Sequence, residues 1–241
     1  MAFLEVINMD KNFGGLTAVS DSSFHVKEGE ILGLIGPNGA GKTTIFNLIT
    51  GFLKPDNGAI IFKGEEIQGL EPHEICKKGV TRTFQSAQTF PHMTTLDNVM
   101  VGGFIHDRNI ANVRKLAFEI LDFTGLNEQK DKTAENLTIG DSRRLEIAKA
   151  LAVKPSLLLL DEVFAGLNAT EMEEVIEIIK QIREKGITVF IVEHVMHAVM
   201  SLSDRVIVIN YGVKIAEGEP QEVTKNEKVI EAYLGEEYMA S

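Results

Sequence analysis

Apolar and polar positions along this chain follow two rhythms. Early on, short β-rich segments alternate with turns: "FLEVINM", "SFHVKEGE" and "GAIIFKG". Between them "ILGLIG" reads as a buried strand that ends in glycine, and a helical pattern runs from Thr43 to Thr50. From Asp97 to Leu151 the pattern is helical, with Gly125 and Asn136 as breaks. "SLLLLD" predicts a second fully apolar strand. "ATEMEEVIEIIKQIREKG" predicts an amphipathic helix with Met172, Val175, Ile176, Ile179 and Ile182 on one face, ended by Gly186. "ITVFIV" and "RVIVIN" are further strands, and "GVKIAEG" a hairpin arm. Apolar strands alternating with helices predict an α/β fold whose parallel sheet is covered on both faces. The β-rich N-terminal part and the helical middle are additions to that core.

The chemistry sits at the strand ends. "GPNGAGKTT", comprising Gly36, Pro37, Asn38, Gly39, Ala40, Gly41, Lys42, Thr43 and Thr44, fits G-x-x-x-x-G-K-[ST] between an apolar strand and a helix. Its glycines allow a tight turn that aims backbone N–H groups at phosphate oxygens. Lys42 adds a positive charge for the outer phosphates, and the Thr43 hydroxyl suits Mg²⁺. The second apolar strand ends in Asp161 and Glu162. An acid at the end of a parallel strand beside such a loop can hold Mg²⁺ through water, and its neighbour is placed to polarise an attacking water. "FIVEH" puts His194 just past a third apolar strand, where it can meet a terminal phosphate or orient water.

Composition narrows the partners. The 241 residues are 44% hydrophobic with a formal net charge of −11, which argues against a broad nucleic-acid surface and leaves phosphate chemistry to a local site. One cysteine, Cys76, excludes an intrachain disulfide or a Cys-rich metal site and mildly favours a reducing compartment. "MAFLEVINMDKNF" lacks the basic and apolar regions of a signal peptide, and no apolar run reaches the ~18 residues of a membrane span. Work at a membrane would therefore go through a partner.

In this order the motifs resemble the ATP-binding cassette (ABC) ATPases over nearly the whole chain. "TRTFQ" puts Gln85 where the family has its Q-loop. "LTIGD" resembles the signature motif, "LLLLDE" the Walker B strand and "AGLN" the D-loop; His194 matches the switch histidine and Phe13 the aromatic that stacks on adenine. The resemblance implies a P-loop core with an antiparallel β subdomain and a helical subdomain: about 1–85 with 157–241, and 86–156. It implies ATP and Mg²⁺ as cofactors, with Thr43, Gln85 and Asp161 attending the metal, and Glu162, His194 and Gln85 in catalysis. It further implies a head-to-tail pair of cassettes, in which Thr138 and Gly140 serve the nucleotide held by the other copy. Transmembrane permeases would be partners, the segment after Gln85 taking a cytoplasmic helix of theirs, with Phe90, Met93, Leu96 and Met100 as lining candidates. The location implied is the cytoplasmic side of the cell membrane.

"RTFQ", "RRLEIAKALA", "DEVFAGLN" and the tail "GEPQEVTKNEKVIEAYLGE" look like the ATPases of branched-chain amino acid importers. Those usually work with a second, similar ATPase and an extracytoplasmic binding protein. Urea-import and lipopolysaccharide-export ATPases are near alternatives, as are a soluble non-transport ABC ATPase and an ATP-dependent regulator that barely hydrolyses. Three positions depart from the family pattern. Ile139 replaces a signature glycine, and Asn168 stands where many members have aspartate. Asp141 replaces the signature glutamine: either it or Ser142 caps the helix and points away from phosphate, or Asp141 weakens closure by like charge, with Arg143 and Arg144 as an offset.

Overall fold

The computed structural model describes residues 2–85 and 88–239, with side chains through Tyr233; Ser86 and Ala87, in the segment after Gln85, lie outside the described residues. Strands β1 (Leu4–Phe13), β2 (Leu16–Val26) and β3 (Ile31–Ile35) lead into helix α1 (Lys42–Ile49), then β4 (Asn57–Phe62), β5 (Glu65–Glu66) and α2 (Pro72–Lys77). Strand β6 (Val80–Arg82) precedes α3 (Thr95–Gly103), α4 (Ile110–Phe123) and α5 (Ile139–Ala152), followed by β7 (Leu157–Asp161) and α6 (Ala169–Glu184). The rest is β8 (Thr188–Val192), α7 (Met196–Leu202), β9 (Arg205–Asn210), β10 (Val213–Gly218), α8 (Pro220–Val223) and α9 (Glu227–Met239). The chain divides into two compact units, Met1–Ile75 with Thr188–Ser241, and Cys76–Ile187.

The first unit holds an antiparallel sheet in the order β2-β1-β4-β5. Beside it β3 pairs in parallel with β8 on one side and β9 on the other, and β10 returns antiparallel to β9. Every residue of β3 and β8 is buried, as a parallel strand covered on both faces requires. The β9–β10 turn has Tyr211 at φ 46° and Gly212 at φ 78°, two successive left-handed residues of the kind that matches the twist of a tight hairpin. Phe46 of α1 packs on Phe190 of β8 with ring centroids 5.0 Å apart, and Phe24 of β2 lies 5.7 Å from the same ring. Each such pair contributes about 0.5–1.5 kcal/mol beyond simple burial. This packing anchors α1, and with it the loop that precedes it.

The second unit pairs β6 and β7 in parallel, with Val80 opposite Leu157 and Arg82 opposite Leu159. The helical stretch read over 97–151 is three helices, with an additional break between Phe104 and Asn109. Asn109 caps α4 by accepting from the N–H groups of Ala111 and Asn112. Helix α6 buries Val175, Ile176, Ile179 and Ile182 as the pattern predicts. Ile178 joins them, while Met172 stays half-buried. Leu96 and Met100, expected as groove candidates, are core residues: they lie on the inner face of α3, 4% and 8% exposed. Phe90 is exposed and Met93 half-buried.

Candidate active site

The loop after β3 is built around glycines that nothing else can replace. Gly41 precedes α1 at φ 105°, and a Cβ there would lie 2.3 Å from the Ala18 carbonyl oxygen. A Cβ on Gly36 would lie 2.1 Å from the carbonyl oxygen of Ile209. The backbone is tied on both sides: the Ala40 carbonyl accepts from Gly212 N–H at 2.9 Å, and Ala40 N–H donates to Pro37 at 3.1 Å. Within this turn the Lys42 ammonium is buried and donates to the carbonyls of Gly36 at 2.6 Å and Pro37 at 2.9 Å. No side chain caps α1, so its first N–H groups and the positive end of its dipole are presented at the loop. Asn38, Gly39 and Thr43 are exposed at the rim, Gly41 and Thr44 half-buried. Amides, an ammonium and a hydroxyl form a donor set that fits phosphate oxygens, and Gly39, with open space where a Cβ would sit, leaves a smooth approach.

Phe13 and His194 belong to the same unit. Phe13 ends β1 and is 46% exposed, with the Lys11 ammonium 5.7 Å from its ring centre. Lys11 also pairs with Asp56 at 2.8 Å, and this contact holds the Asp56 carboxyl below its ordinary value. His194 follows β8 and is exposed; its backbone N–H donates to the buried Glu193 carboxylate at 3.3 Å.

The second unit gathers Gln85, Asp161 and Glu162. Asp161 ends β7, 1% exposed, and its carboxylate is 2.7 Å from the guanidinium of Arg82 of β6, whose side chain is 5% exposed. Burial pulls the Arg82 guanidinium down from its ordinary value, and Asp161 opposes that. Arg82 also lies 4.5 Å from the Phe84 ring centre. Glu162 sits at φ 50°, in the left-handed region that costs a residue with a side chain on the order of 1 kcal/mol or more. Its carboxylate accepts from the Gln85 amide at 2.8 Å, so these two predicted catalytic residues are in direct contact.

Helix α5 corrects one expectation. Thr138 is the cap, its hydroxyl accepting from Asp141 N–H at 3.1 Å; neither Asp141 nor Ser142 takes that place. The helix starts three residues earlier than a cap at Asp141 requires. Asp141 is instead a buried first-turn acid paired with Arg144 at 2.7 Å, and Arg144 reaches Glu174 at 3.4 Å. Ile139 is exposed. Gly140 lies against Glu171, where a Cβ would come within 2.6 Å of the carboxylate. Glu171 also completes a capping box with Asn168: Asn168 N–H donates to the Glu171 carboxylate and Glu171 N–H to the Asn168 side-chain Oδ1, both at 3.0 Å. Asn168 caps as well as aspartate does, which removes the local cost of that departure.

Sequence reading missed Arg82, Glu146 and Lys149, and of the two arginines expected to offset Asp141 it is Arg144 that pairs with it, while Arg143 turns to Glu146 and the Gln85 carbonyl. Glu146 of α5 is buried; it accepts from Arg143 at 3.1 Å and from Gln88 N–H at 3.2 Å. Burial pushes its carboxyl up and pulls the Lys149 ammonium down. Among the described residues no group of three or more His, Cys, Asp and Glu side chains is arranged to hold a metal. Thr43 of the first unit, and Gln85 and Asp161 of the second, each carry an oxygen donor of the kind that Mg²⁺ takes alongside phosphate and water. No helix among the described residues is long and apolar enough to cross a membrane.

A parallel strand, a glycine loop folded around a buried lysine and an uncapped helix start define a P-loop nucleotide-binding protein. The ABC transporter family matches residues 19–165, and the branched-chain amino acid ATP-binding cassette transporter family matches residues 213–238. The chain belongs to the ABC transporter family, as an ATPase that binds and hydrolyses ATP. It is 41% identical to the high-affinity branched-chain amino acid transport ATP-binding protein BraF of Pseudomonas aeruginosa, over 97% of this chain and 98% of that protein. It is 42% identical to the corresponding protein LivG of Salmonella typhimurium, with the same coverage. A solved ATP-binding cassette of an ABC transporter, in its ADP conformation, superposes with a TM-score of 0.89 at 34% identity, covering 98% of this chain and 99% of that one.

Proposed function

We propose that this chain powers the import of branched-chain amino acids, as an ATP-hydrolysing subunit on the cytoplasmic side of the membrane. The observation that carries the reading is full-length similarity to two such transport subunits, together with the match of the tail to the branched-chain family. Two permeases and a second ATPase are the partners, with an extracytoplasmic binding protein acting through the permeases. Residues 1–85 with 157–241 form the β-rich and nucleotide-binding core, and 86–156 the helical subdomain with the signature helix.

The residues then take distinct roles. The amides of Gly36 to Thr44 and the Lys42 ammonium bind the phosphates, and Phe13 offers a ring to the base. Thr43, Gln85 and Asp161 would hold Mg²⁺, which when bound shields phosphate charge. Glu162 polarises the attacking water, its carboxylate aimed by the Gln85 amide and by a left-handed backbone. His194 orients that water or a terminal oxygen. Thr138 accepts the helix-cap hydrogen bond on one lone pair and keeps its O–H to donate, so with the Gly140 backbone it can serve a second copy's nucleotide. Asp141, neutralised by Arg144, is a mild perturbation of that helix start.

The test is purification of the tagged chain from native membranes in mild detergent. Recovery of two hydrophobic permeases with a second, similar ATPase is the expected result. Recovery of ribosomal or only soluble partners would overturn the transport reading.

A further inference from the structure

Three charged residues on one face of α5 grip the segment around Gln85. Arg143 donates from one guanidinium nitrogen to the Gln85 carbonyl at 3.0 Å and to the Glu146 carboxylate at 3.1 Å. The other oxygen of Glu146 accepts from Gln88 N–H at 3.2 Å. Lys149, one turn on, donates to the Gln88 carbonyl and lies 4.9 Å from the Phe90 ring centre. Both ends of Gln85 are therefore fixed: its side-chain amide is on Glu162 at 2.8 Å and its carbonyl on the signature helix. The side chains of Glu146 and Arg143 are 4% and 12% exposed, so the two hydrogen bonds that Glu146 accepts are partly shielded from water and a lost partner there is costly. A solvated helix face would leave such i,i+3 charges in water and contribute only tenths of a kcal/mol.

We infer that Glu146, acting through Arg143 and the backbone of Gln88, is a positioning residue for hydrolysis: it ties the signature helix to the loop that aims Gln85 at Glu162. The inference rests on the reading that Gln85 serves the attacking water or metal. Its reach is set by geometry. A carboxylate with two oxygens can hold a guanidinium and a backbone N–H at once, so loss of Glu146 releases Gln88 directly and removes the carboxylate that holds Arg143 against the Gln85 carbonyl. The P-loop belongs to the other compact unit, so nucleotide affinity is expected to be separable from turnover.

The test is a mutant cycle on the full chain, reading steady-state ATP hydrolysis and, separately, equilibrium nucleotide binding. Glu146→Ala is expected to lower kcat about tenfold with ATP affinity within about twofold of the parent. In a Gln85→Ala background it is expected to have no further effect on kcat, because both changes remove one function. Glu146→Gln keeps an acceptor for Gln88 and recovers most of the lost rate. Should Glu146→Ala fail to fold, Arg143→Met tests the same link, since it frees the Gln85 carbonyl and must lower kcat in parallel. Multiplying losses in the double variant, or a Glu146→Ala variant at the parent rate, would overturn the inference. A Gln85→Ala variant at the parent rate would overturn the reading of Gln85 itself, and the inference with it.

Discussion

Replacing Arg82 by Met takes from the buried Asp161 carboxylate the guanidinium it pairs with. In the native chain the guanidinium and the Asp161 carboxylate are 2.7 Å apart, and their side chains are 5% and 1% exposed. Breaking a pair this deep typically costs about 3–5 kcal/mol, because the remaining charge keeps its desolvation penalty. Loss of the Arg82–Phe84 contact adds to that. For a chain of this size each kcal/mol moves the melting temperature about 2–4 °C, so the expected fall is about 6–20 °C. The double change Arg82→Met with Asp161→Leu removes both charges and is expected to recover at least about half of that fall, since an apolar pair of similar volume is often neutral. Thermal melts of parent, single and double variants at matched concentration decide it. A single variant melting within about 2 °C of the parent, or a double variant no better than the single, would refute the claim that Asp161 depends on Arg82 for its buried charge.

Other expectations follow from the same contacts. Glu162→Gln keeps a partner for Gln85 yet loses the group that polarises water. Its turnover should fall by about 10²–10⁴ with ATP still bound, and turnover within about threefold of the parent would remove Glu162 from that role. Gly41→Ala must find room 2.3 Å from the Ala18 carbonyl at a φ of 105°; calorimetry should show a loss of about 1–3 kcal/mol together with weakened ATP binding. At Asn168, Asp should be neutral to about 0.5 kcal/mol by denaturant titration, whereas Ala costs about 1 kcal/mol; equal losses would mean that the capping box does not matter. Burial raises the Glu146 carboxyl above 4.5, so the native state holds an extra proton between that value and the raised one. Glu146 therefore adds stability at the acid end of that window and loses it as pH rises through it. Unfolding free energies of the parent minus those of Glu146→Gln should decline with rising pH across the window, and a rising difference would contradict the sign.

The P-loop was legible because its chemistry is local: fixed glycines, a lysine and the strand and helix on either side fit into nine residues. Asp161 and Glu162 were legible because two acids after "SLLLL" stand out against an apolar strand. Arg82 was not, because in "VTRTFQ" an arginine on a short strand reads as a solvated edge, and its partner is 79 residues away. Glu146 and Lys149 carry helical spacing that fits an exposed face equally well; only their contacts with Gln88 and Phe90 set them apart, and Arg143, read as an offset to Asp141, reaches Glu146 and the Gln85 carbonyl instead. The cap of α5 was misplaced because Thr138, Asp141 and Ser142 are all good cap residues, and the choice depends on where the preceding turn ends. Leu96 and Met100 went to the core for a similar reason: α3 turns its apolar stripe inward, a direction that spacing does not give.

The most direct test of the account is leucine uptake by proteoliposomes that hold the purified transporter, its binding protein and ATP on the side of this chain. The account predicts ATP-dependent leucine accumulation that is lost when this subunit carries Lys42→Ala and retained when it carries a substitution at the exposed Ile110. ATP hydrolysis that continues without any branched-chain amino acid being moved, under conditions where another solute is transported, would contradict it.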